Sequence, residues 1–423
     1  MKNNPQIKIL TLLIGMIAMS LTNVNAQTDQ AYIYGEITMI DNQKFVGEIR
    51  WGDEEAFWDD LFNSTKKKNP FIKYIDRDEL ENSDDDDDKK GKRTWSLNMD
   101  FGNIWIDGGR WGIANSHTFA CRFGDISKMT IIGRNEVELE FKDGTTVDLE
   151  GGSNDLGNSI KVYDQEIGEL KLKWDRIEEI KFMSSPKKLA NKFGEPLYGT
   201  VETSQGNFEG FIIWDNDECI GTDKLDGDSD NGDVSIAFDK IAEIEAERRG
   251  ASVTLKSGRR LYLTGSNDVN DENRGIVIKT EEFGRVLVKW REFDKITFSE
   301  PTKSGPAFSD FKNARKLSGT VVSTNGEKLS GRLVYDLDEE WNWEMLDGEA
   351  DGFEYTIPFE KIKSISPKNY NYSTVELKSG KTILLGETQD VTDRNDGILI
   401  FKDDRDNKPA YVKWKNIEKV IFD

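Results

Sequence analysis

One stretch of this chain limits its possible folds more than any other, because the chain contains three versions of it. Residues 253–298 read VTLKSGRRLYLTGSNDVNDENRGIVIKTEEFGRVLVKWREFDKITF, and counterparts begin at Val137 (VELEFKDGTTVDLEGGSND) and Val375 (VELKSGKTILLGETQDVTDRNDGILI). Each copy ends with a Lys-Trp pair and an isoleucine-rich strand. The long spacing between copies indicates a domain-sized repeat rather than a short solenoid turn.

The repeat extends upstream of that stretch, where glycine-punctuated strands recur around Gly35, Gly199 and Gly319. We therefore predict three tandem modules: module 1 at residues 27–184, module 2 at 185–300 and module 3 at 301–423. Module 1 differs by an insertion at about residues 54–117, which combines blocks of Lys and Asp with a Trp- and Gly-rich part. The charged blocks are typical of solvated chain, whereas the aromatic part should fold back on the module.

Alternation of apolar and polar residues between Gly and Asx turns predicts β-strands throughout the three modules. No long helical periodicity follows the N-terminal leader. Within each module two related halves are visible, each sized for about five short strands on a small closed or nearly closed barrel. The predicted fold class is therefore all-β.

A resemblance supports this interpretation of the halves. The segment GTVETSQGNFEGFI at residues 199–212, then Asp215 and the strand-turn-strand at 238–244, resembles the strand-and-turn order of Sm-like and SH3-like small β-barrels. The resemblance implies edge strands that pair between neighbouring barrels to give a rigid array. Sm-like RNA-binding residues are not carried over, because no basic contact motif stands at these positions.

Residues 1–26 are predicted to form a signal peptide. Lys2 and Lys8 precede or flank an apolar run, and Val24 and Ala26 are small residues suited to a cleavage site. The apolar run is short for a membrane span, and no later segment provides an integral one. We expect an exported protein, either periplasmic or extracellular.

The net charge makes some classes of partner unfavourable, and the cysteine count limits the number of disulfide bonds. The formal net charge of −22 disfavours nucleic acid and anionic membrane surfaces, because their phosphates would be repelled. The two cysteines, Cys121 and Cys219, allow at most one disulfide bond, and we expect two buried free thiols.

Acidic loops recur in the second and third copies and offer candidate metal ligands. Carboxylate and amide oxygens at alternating positions suit a hard cation such as Ca²⁺. The same residues also satisfy the amides of a hairpin loop through Asx turns, an interpretation we prefer because the ligand order of an EF-hand is not met. The candidate ligands are Asp268, Asp271, Asn273, Asp390, Asp393 and Asn395.

Repeated aromatic residues are predicted to form the barrel cores, because they alternate in phase with aliphatic residues on the same strand face. A glycan-stacking role is the alternative. The residues are Trp51, Trp214 and Tyr335, together with Trp174, Trp290 and Trp414.

No catalytic constellation is repeated. The single histidine, His117, lies in the insertion, so neither a histidine zinc cluster nor an imidazole relay is available. We predict a non-catalytic binding or structural scaffold with no required cofactor and an unidentified protein or glycan partner. A Ca²⁺-stabilised adhesion-type protein and a carbohydrate-active enzyme remain the alternatives.

Overall fold

The computed structural model describes residues 28–75, 118–151, 155–403 and 408–423. In these ranges every regular element is a β-strand or a three-residue 3-10 helix, which confirms the all-β class. The predicted signal peptide, residues 76–117 of the insertion and His117 lie outside the described residues.

Within the described residues, ten strands fall in each of the three predicted modules. Those of module 1 are β1 (Tyr34–Met39), β2 (Lys44–Trp51), β3 (Leu61–Thr65), β4 (Thr118–Arg122), β5 (Ile126–Gly133), β6 (Glu136–Phe141), β7 (Thr146–Glu150), β8 (Ile160–Asp164), β9 (Gly168–Leu172) and β10 (Ile177–Phe182). Those of module 2 are β11 (Tyr198–Thr203), β12 (Gly206–Ile213), β13 (Lys224–Ser229), β14 (Gly232–Ala237), β15 (Ile241–Glu247), β16 (Gly250–Leu255), β17 (Arg260–Leu263), β18 (Ile276–Thr280), β19 (Gly284–Val288) and β20 (Phe293–Phe298). Those of module 3 are β21 (Ser318–Ser323), β22 (Lys328–Tyr335), β23 (Met345–Ala350), β24 (Phe353–Pro358), β25 (Ile362–Pro367), β26 (Tyr372–Leu377), β27 (Thr382–Gly386), β28 (Ile398–Phe401), β29 (Ala410–Val412) and β30 (Ile417–Phe422).

Short 3-10 helices connect several of these strands. They are Asp29–Ala31, Ile72–Tyr74, Phe123–Asp125, Trp174–Arg176, Phe238–Lys240, Asn267–Val269, Trp290–Glu292, Phe308–Asp310, Phe359–Lys361 and Trp414–Asn416.

Strand pairing divides each module into two five-stranded sets. In module 2 the flanking set is hydrogen-bonded in the order β19-β18-β12-β11-β20. The inserted set comprises β13 to β17, with pairs β13–β14, β15–β16 and β16–β17 and a bridge from Asp228 to Thr264 that joins β13 to the end of β17. In both sets a 3-10 helix leads into the strand that contacts the other set: Phe238–Lys240 precedes β15, and Trp290–Glu292 precedes β20. The β15–β20 pair joins strands β15 to β17 to the flanking set, whereas β13 and β14 form a separate two-stranded sheet.

The two sets are nested in the chain, whereas the sequence led us to expect consecutive halves. The first strand of each module pairs with the last strand, so the flanking set contains both ends of the module and the inserted set lies between them. A glycine permits this close pairing, because a Cβ at Gly199 would lie 2.5 Å from the carbonyl oxygen of Thr297. The corresponding pairings recur in modules 1 and 3.

The repeated aromatic residues lie in the cores of the flanking sets, as predicted. All six are at most 9% exposed, and Trp51, Trp214 and Tyr335, which lie at or just beyond the end of the second strand of their modules, are completely buried. Each module repeats one near-perpendicular ring pair: Trp51–Trp174 at 5.9 Å, Trp214–Trp290 at 6.1 Å and Tyr335–Trp414 at 5.8 Å between centroids. Edge-to-face contacts of this kind stabilise aromatic cores beyond simple burial.

Modules 2 and 3 share one sheet and one core. Strand β19 pairs antiparallel with β24, and a single apolar cluster contains buried residues of both modules. Module 1 has its own eight-stranded sheet, whose core continues into both neighbours through residues such as Val277 and Trp343. Cys121 and Cys219 are free and buried.

The described part of the insertion reaches across to module 3. Phe71 and Ile75 form a buried cluster with Val334, Leu399 and Phe401. Tertiary contact with another module therefore fixes the first part of this insertion.

Candidate functional site

A ten-residue acidic hairpin follows the second strand of every module. The three copies read WGDEEAFWDD from Trp51, WDNDECIGTD from Trp214 and YDLDEEWNWE from Tyr335. Positions 2 and 3 have positive φ in each copy, for example 48° at Asp215 and 62° at Asn216. This geometry is that of a type I′ turn, which folds the fifth residue back to pair with the first. Acidic side chains at positions 4, 5 and 10 are thus presented in the same way three times.

The tenth position of the first copy is Asp60, a fully buried carboxylate. One of its oxygens accepts hydrogen bonds from the backbone N–H groups of Ala56 and Phe57 at 2.9 and 2.8 Å. The other lies 2.9 Å from the ammonium of Lys279, which comes from β18 of module 2 and also contacts Asp59 at 2.7 Å. Burial alone would raise the pKa of Asp60, but Lys279 and Arg285 hold it below its ordinary value.

In the second copy the carboxylate belongs to module 2 and the cation to module 1. Asp223 accepts from the N–H groups of Cys219 and Ile220 at 2.9 and 3.0 Å. Its cation is Arg50, on β2 of module 1, at 2.8 Å. In modules 1 and 2, therefore, the acidic hairpin of each module packs against a flanking-set strand of the other module.

The third copy binds a cation from the insertion. Glu344 accepts from the N–H groups of Glu340 and Trp341 at 2.6 and 2.9 Å. Lys66 donates to Glu344 and to the carbonyl of Asp338, both at 2.7 Å. All three tenth-position carboxylates are thus paired with a buried or half-buried cation from another module, which offsets the cost of removing the charges from water.

A second acidic group lies inside each module and includes two of the predicted metal ligands. Asp268 accepts a hydrogen bond from the N–H of Asp226 at 2.6 Å, and its carbonyl accepts from the Trp214 indole at 3.0 Å. Asp390 repeats both contacts with Asp347 and Tyr335, at 2.7 and 2.6 Å. Through these hydrogen bonds, the loop that precedes β18 or β28 in the flanking set contacts the first strand of the inserted set, β13 or β23.

Module 1 contains the same contact with a residue that the sequence analysis did not select. Asp155 accepts from the N–H of Asn63 at 2.5 Å, and its carbonyl accepts from the Trp51 indole at 2.9 Å. The shortened loop of module 1 therefore keeps this aspartate, although it has lost other acidic residues.

The remaining predicted ligands are dispersed between buried turns and solvent. Asn273 and Asn395 are buried, and their side-chain oxygens accept from the N–H groups of Gly275 and Gly397 at 2.9 and 2.8 Å. These are Asx turns closed by glycines with positive φ. Asp271 and Asp393 are exposed.

Within the described residues, a set of three carboxylates able to share one cation occurs in module 1. Ligand oxygens of Glu54, Glu55 and Asp155 lie within 4.8 Å of one another. One oxygen of Glu55 is shielded from solvent and has no hydrogen-bond partner. Burial, and then nearby carboxylates, raise the pKa of Glu55 well above its ordinary value, and burial raises that of Asp155 to about 7.

The fifth-position glutamates of the other two hairpins also combine a shielded carboxylate oxygen with a raised pKa. Glu218 and Glu339 each have one buried carboxylate oxygen without a hydrogen-bond partner. Burial and neighbouring aspartates raise the pKa of Glu218 to about 9 and that of Asp268 to about 6. Such a pair of carboxyl groups can hold a proton or share a cation.

The acidic hairpin was not recognised from sequence, although a signal for it was present. An acidic pair recurs three and four residues after each core aromatic, followed five residues later by a third acid. Comparisons with protein-family models, curated proteins and solved structures find no match for this chain. No helix of the described residues is long and apolar enough to cross a membrane.

Proposed function

We propose that the protein is an exported, non-catalytic scaffold that presents outer surfaces of three fixed modules to a protein or glycan partner. The observation that supports the proposal is the use of the repeated acidic residues. In each hairpin the tenth-position carboxylate neutralises a buried or half-buried cation of another module, so the recurring charges lie at the contacts between modules. Fixed spacing of several surfaces favours multivalent binding, because a second contact then forms at high effective concentration.

The proposal is tested by combining an activity screen with an unfolding experiment. Purified full-length chain is incubated with panels of glycan and peptide substrates, and its unfolding is followed by calorimetry. A scaffold of fused modules should show no turnover and one cooperative transition. Turnover that disappears on a single substitution, such as Glu55→Gln or Glu218→Gln, would reject the proposal in favour of an enzyme.

A cation-stabilised adhesion-type protein is the second candidate, supported by the unpartnered oxygen of Glu55 beside Glu54 and Asp155. Three carboxylates supply hard oxygen ligands of the kind that Ca²⁺ prefers. Ca²⁺ would then raise the melting temperature, because a ligand that binds only the folded state stabilises it.

Titration calorimetry with Ca²⁺ separates this candidate from the first. The cation-stabilised form predicts binding heat that is lost in Glu55→Gln. An Asp268→Ala, Asp393→Ala double variant tests the loops of modules 2 and 3 in the same way. Unchanged heat and melting temperature on adding Ca²⁺ would leave the metal-free scaffold.

A further inference from the structure

The joint between modules 2 and 3 shows how two copies of this module associate edge to edge. Strand β19 pairs with β24, so that Val286 lies opposite Tyr355 and Leu287 opposite Glu354. Lys289, just beyond β19, places its ammonium 2.7 Å from Glu354 and 3.7 Å from Glu349. Backbone pairing, an apolar pair and a charge pair therefore define this joint.

One equivalent strand in module 1, β4, and one in module 3, β29, are already covered or blocked. On β4, the counterpart of β24, Phe119 is buried and contacts the Trp343 ring at 6.1 Å. Next to β29, the counterpart of β19, Pro409 occupies the position that Arg285 has in β19. Proline has no N–H to donate, so it protects an edge from pairing. Tyr411 of β29 packs against the cluster formed with Phe71.

Among the described strands, two other counterparts of the joint strands each have one edge without a hydrogen-bonded neighbour: β9, which corresponds to β19, and β14, which corresponds to β24. In the described part of the chain, β9 is hydrogen-bonded only to β8 and ends its sheet, and β14 is hydrogen-bonded only to β13. Lys171 on β9 and Asp233 on β14 are exposed, as is Lys173 just beyond β9. No ion pair involves these three side chains in the residues described.

The two open strands have complementary sequences in the register of the existing joint. Counting from the shared Lys-Trp pair, Lys171 corresponds to Leu287; counting from the Phe after each strand, Asp233 corresponds to Glu354. Lys171 would therefore lie opposite Asp233, and Leu170 opposite Val234. Lys173 corresponds to Lys289, which makes the ion pairs in the existing joint. Opposite charges facing each other across strands favour pairing, whereas like charges oppose it.

We infer that copies of this protein associate head to tail, with β9 of one copy paired antiparallel to β14 of the next. The two faces of such an interface are different, so an open assembly keeps an unpaired β9 at one end and an unpaired β14 at the other. It then either closes into a ring or continues to grow as a filament. The inference is independent of the scaffold proposal, because a monomeric protein could still bind a partner through its outer surfaces.

Charge reversal tests the inference without disturbing the core. Sedimentation velocity over a range of concentrations should show reversible association of the full chain. Lys171→Glu or Asp233→Lys should weaken association roughly fivefold or more, since each creates a like-charge pair across the joint. The Lys171→Glu, Asp233→Lys double variant should restore it. Lys256→Glu, which changes an exposed residue on a turn, is the matched control and should associate like the unmodified protein.

Disulfide trapping tests the register directly. Differently tagged Lys171→Cys and Asp233→Cys proteins are mixed and mildly oxidised; both native thiols are buried. The inference predicts that mixed 171–233 dimers exceed either self-linked dimer. It is overturned if the protein is monomeric at every concentration, if association is insensitive to the charge swap, or if the Lys171→Cys, Asp233→Cys variant cross-links only within one chain.

Discussion

Lys279 of module 2 places its ammonium 2.9 Å from the carboxylate of Asp60 in module 1, and both side chains are almost completely buried. Lys279→Met should therefore leave the buried carboxylate of Asp60 without its hydrogen-bonded cation. We expect a loss of about 3 kcal/mol in the free energy of unfolding. Denaturant unfolding followed by tryptophan fluorescence measures this change.

The Lys279→Met, Asp60→Asn double variant is the control for this pair. Because both charges are then absent, it should recover part of the stability that Lys279→Met loses. Purely additive losses in the double-mutant cycle would show that the two side chains are not energetically coupled.

Asp268 should matter through its hydrogen bond rather than through its charge. Asp268→Ala removes the acceptor of the Asp226 N–H, and we expect unfolding to become easier by about 2 kcal/mol. Asp271→Ala changes an exposed residue of the same loop and should stay within about 0.5 kcal/mol of the unmodified protein. Equal effects of the two substitutions in thermal unfolding would contradict this role for Asp268.

Glu218 should make the stability fall as pH rises. Burial raises its pKa from 4.5 to about 9 in the folded state, whereas the unfolded chain loses the proton near the lower value. Between these pH values the folded state holds the extra proton, so the free energy of unfolding decreases with increasing pH. Below the lower value both states are protonated and this contribution is constant.

Glu218→Gln removes that titration and should flatten the dependence by about 2 kcal/mol between pH 5 and 9, allowing for partial solvent screening. Glu202→Gln, at an exposed position on β11, should leave the slope unchanged. Denaturant midpoints at a series of pH values measure both variants. A slope that is the same in Glu218→Gln and the unmodified protein would show that Glu218 ionises freely.

Gly124 should be intolerant of any side chain, because module 3 packs directly on it. A Cβ at this position would overlap the ring of Phe311. Gly124→Ala should destabilise the protein by about 2 kcal/mol through overpacking. Phe311→Ala in the same chain should remove the clash, so calorimetry should find the double variant less destabilised than the sum of the single variants. Simple additivity would mean that the contact is loose.

The local sequence was sufficient for the strands and for the residues in the barrel cores. Period-two alternation places Trp214, Trp290 and their counterparts on inward faces, because successive side chains of a strand point to opposite sides. The turn role of Asn273 follows equally from local chemistry, since its side-chain oxygen satisfies the Gly275 N–H two residues later.

The nesting of the two five-stranded sets could not be obtained in this way. Strand alternation identifies a face but carries no information on which strand becomes the hydrogen-bonded neighbour. The pairing of Gly199 with Phe298 joins residues at opposite ends of module 2, and it is fixed by closure of the complete set.

By itself, therefore, the sequence determined an all-β chain with a repeated period and an aromatic core, because these properties depend on short-range alternation and on comparison of one copy with another. Only the tertiary structure decided the use of the acidic residues. Asp60, Asp223 and Glu344 occupy the same position in three hairpins, yet their cations are Lys279, Arg50 and Lys66, which do not correspond to one another in the repeat. The energy of a buried charge depends on what surrounds it in space, and packing of the three modules supplies those surroundings.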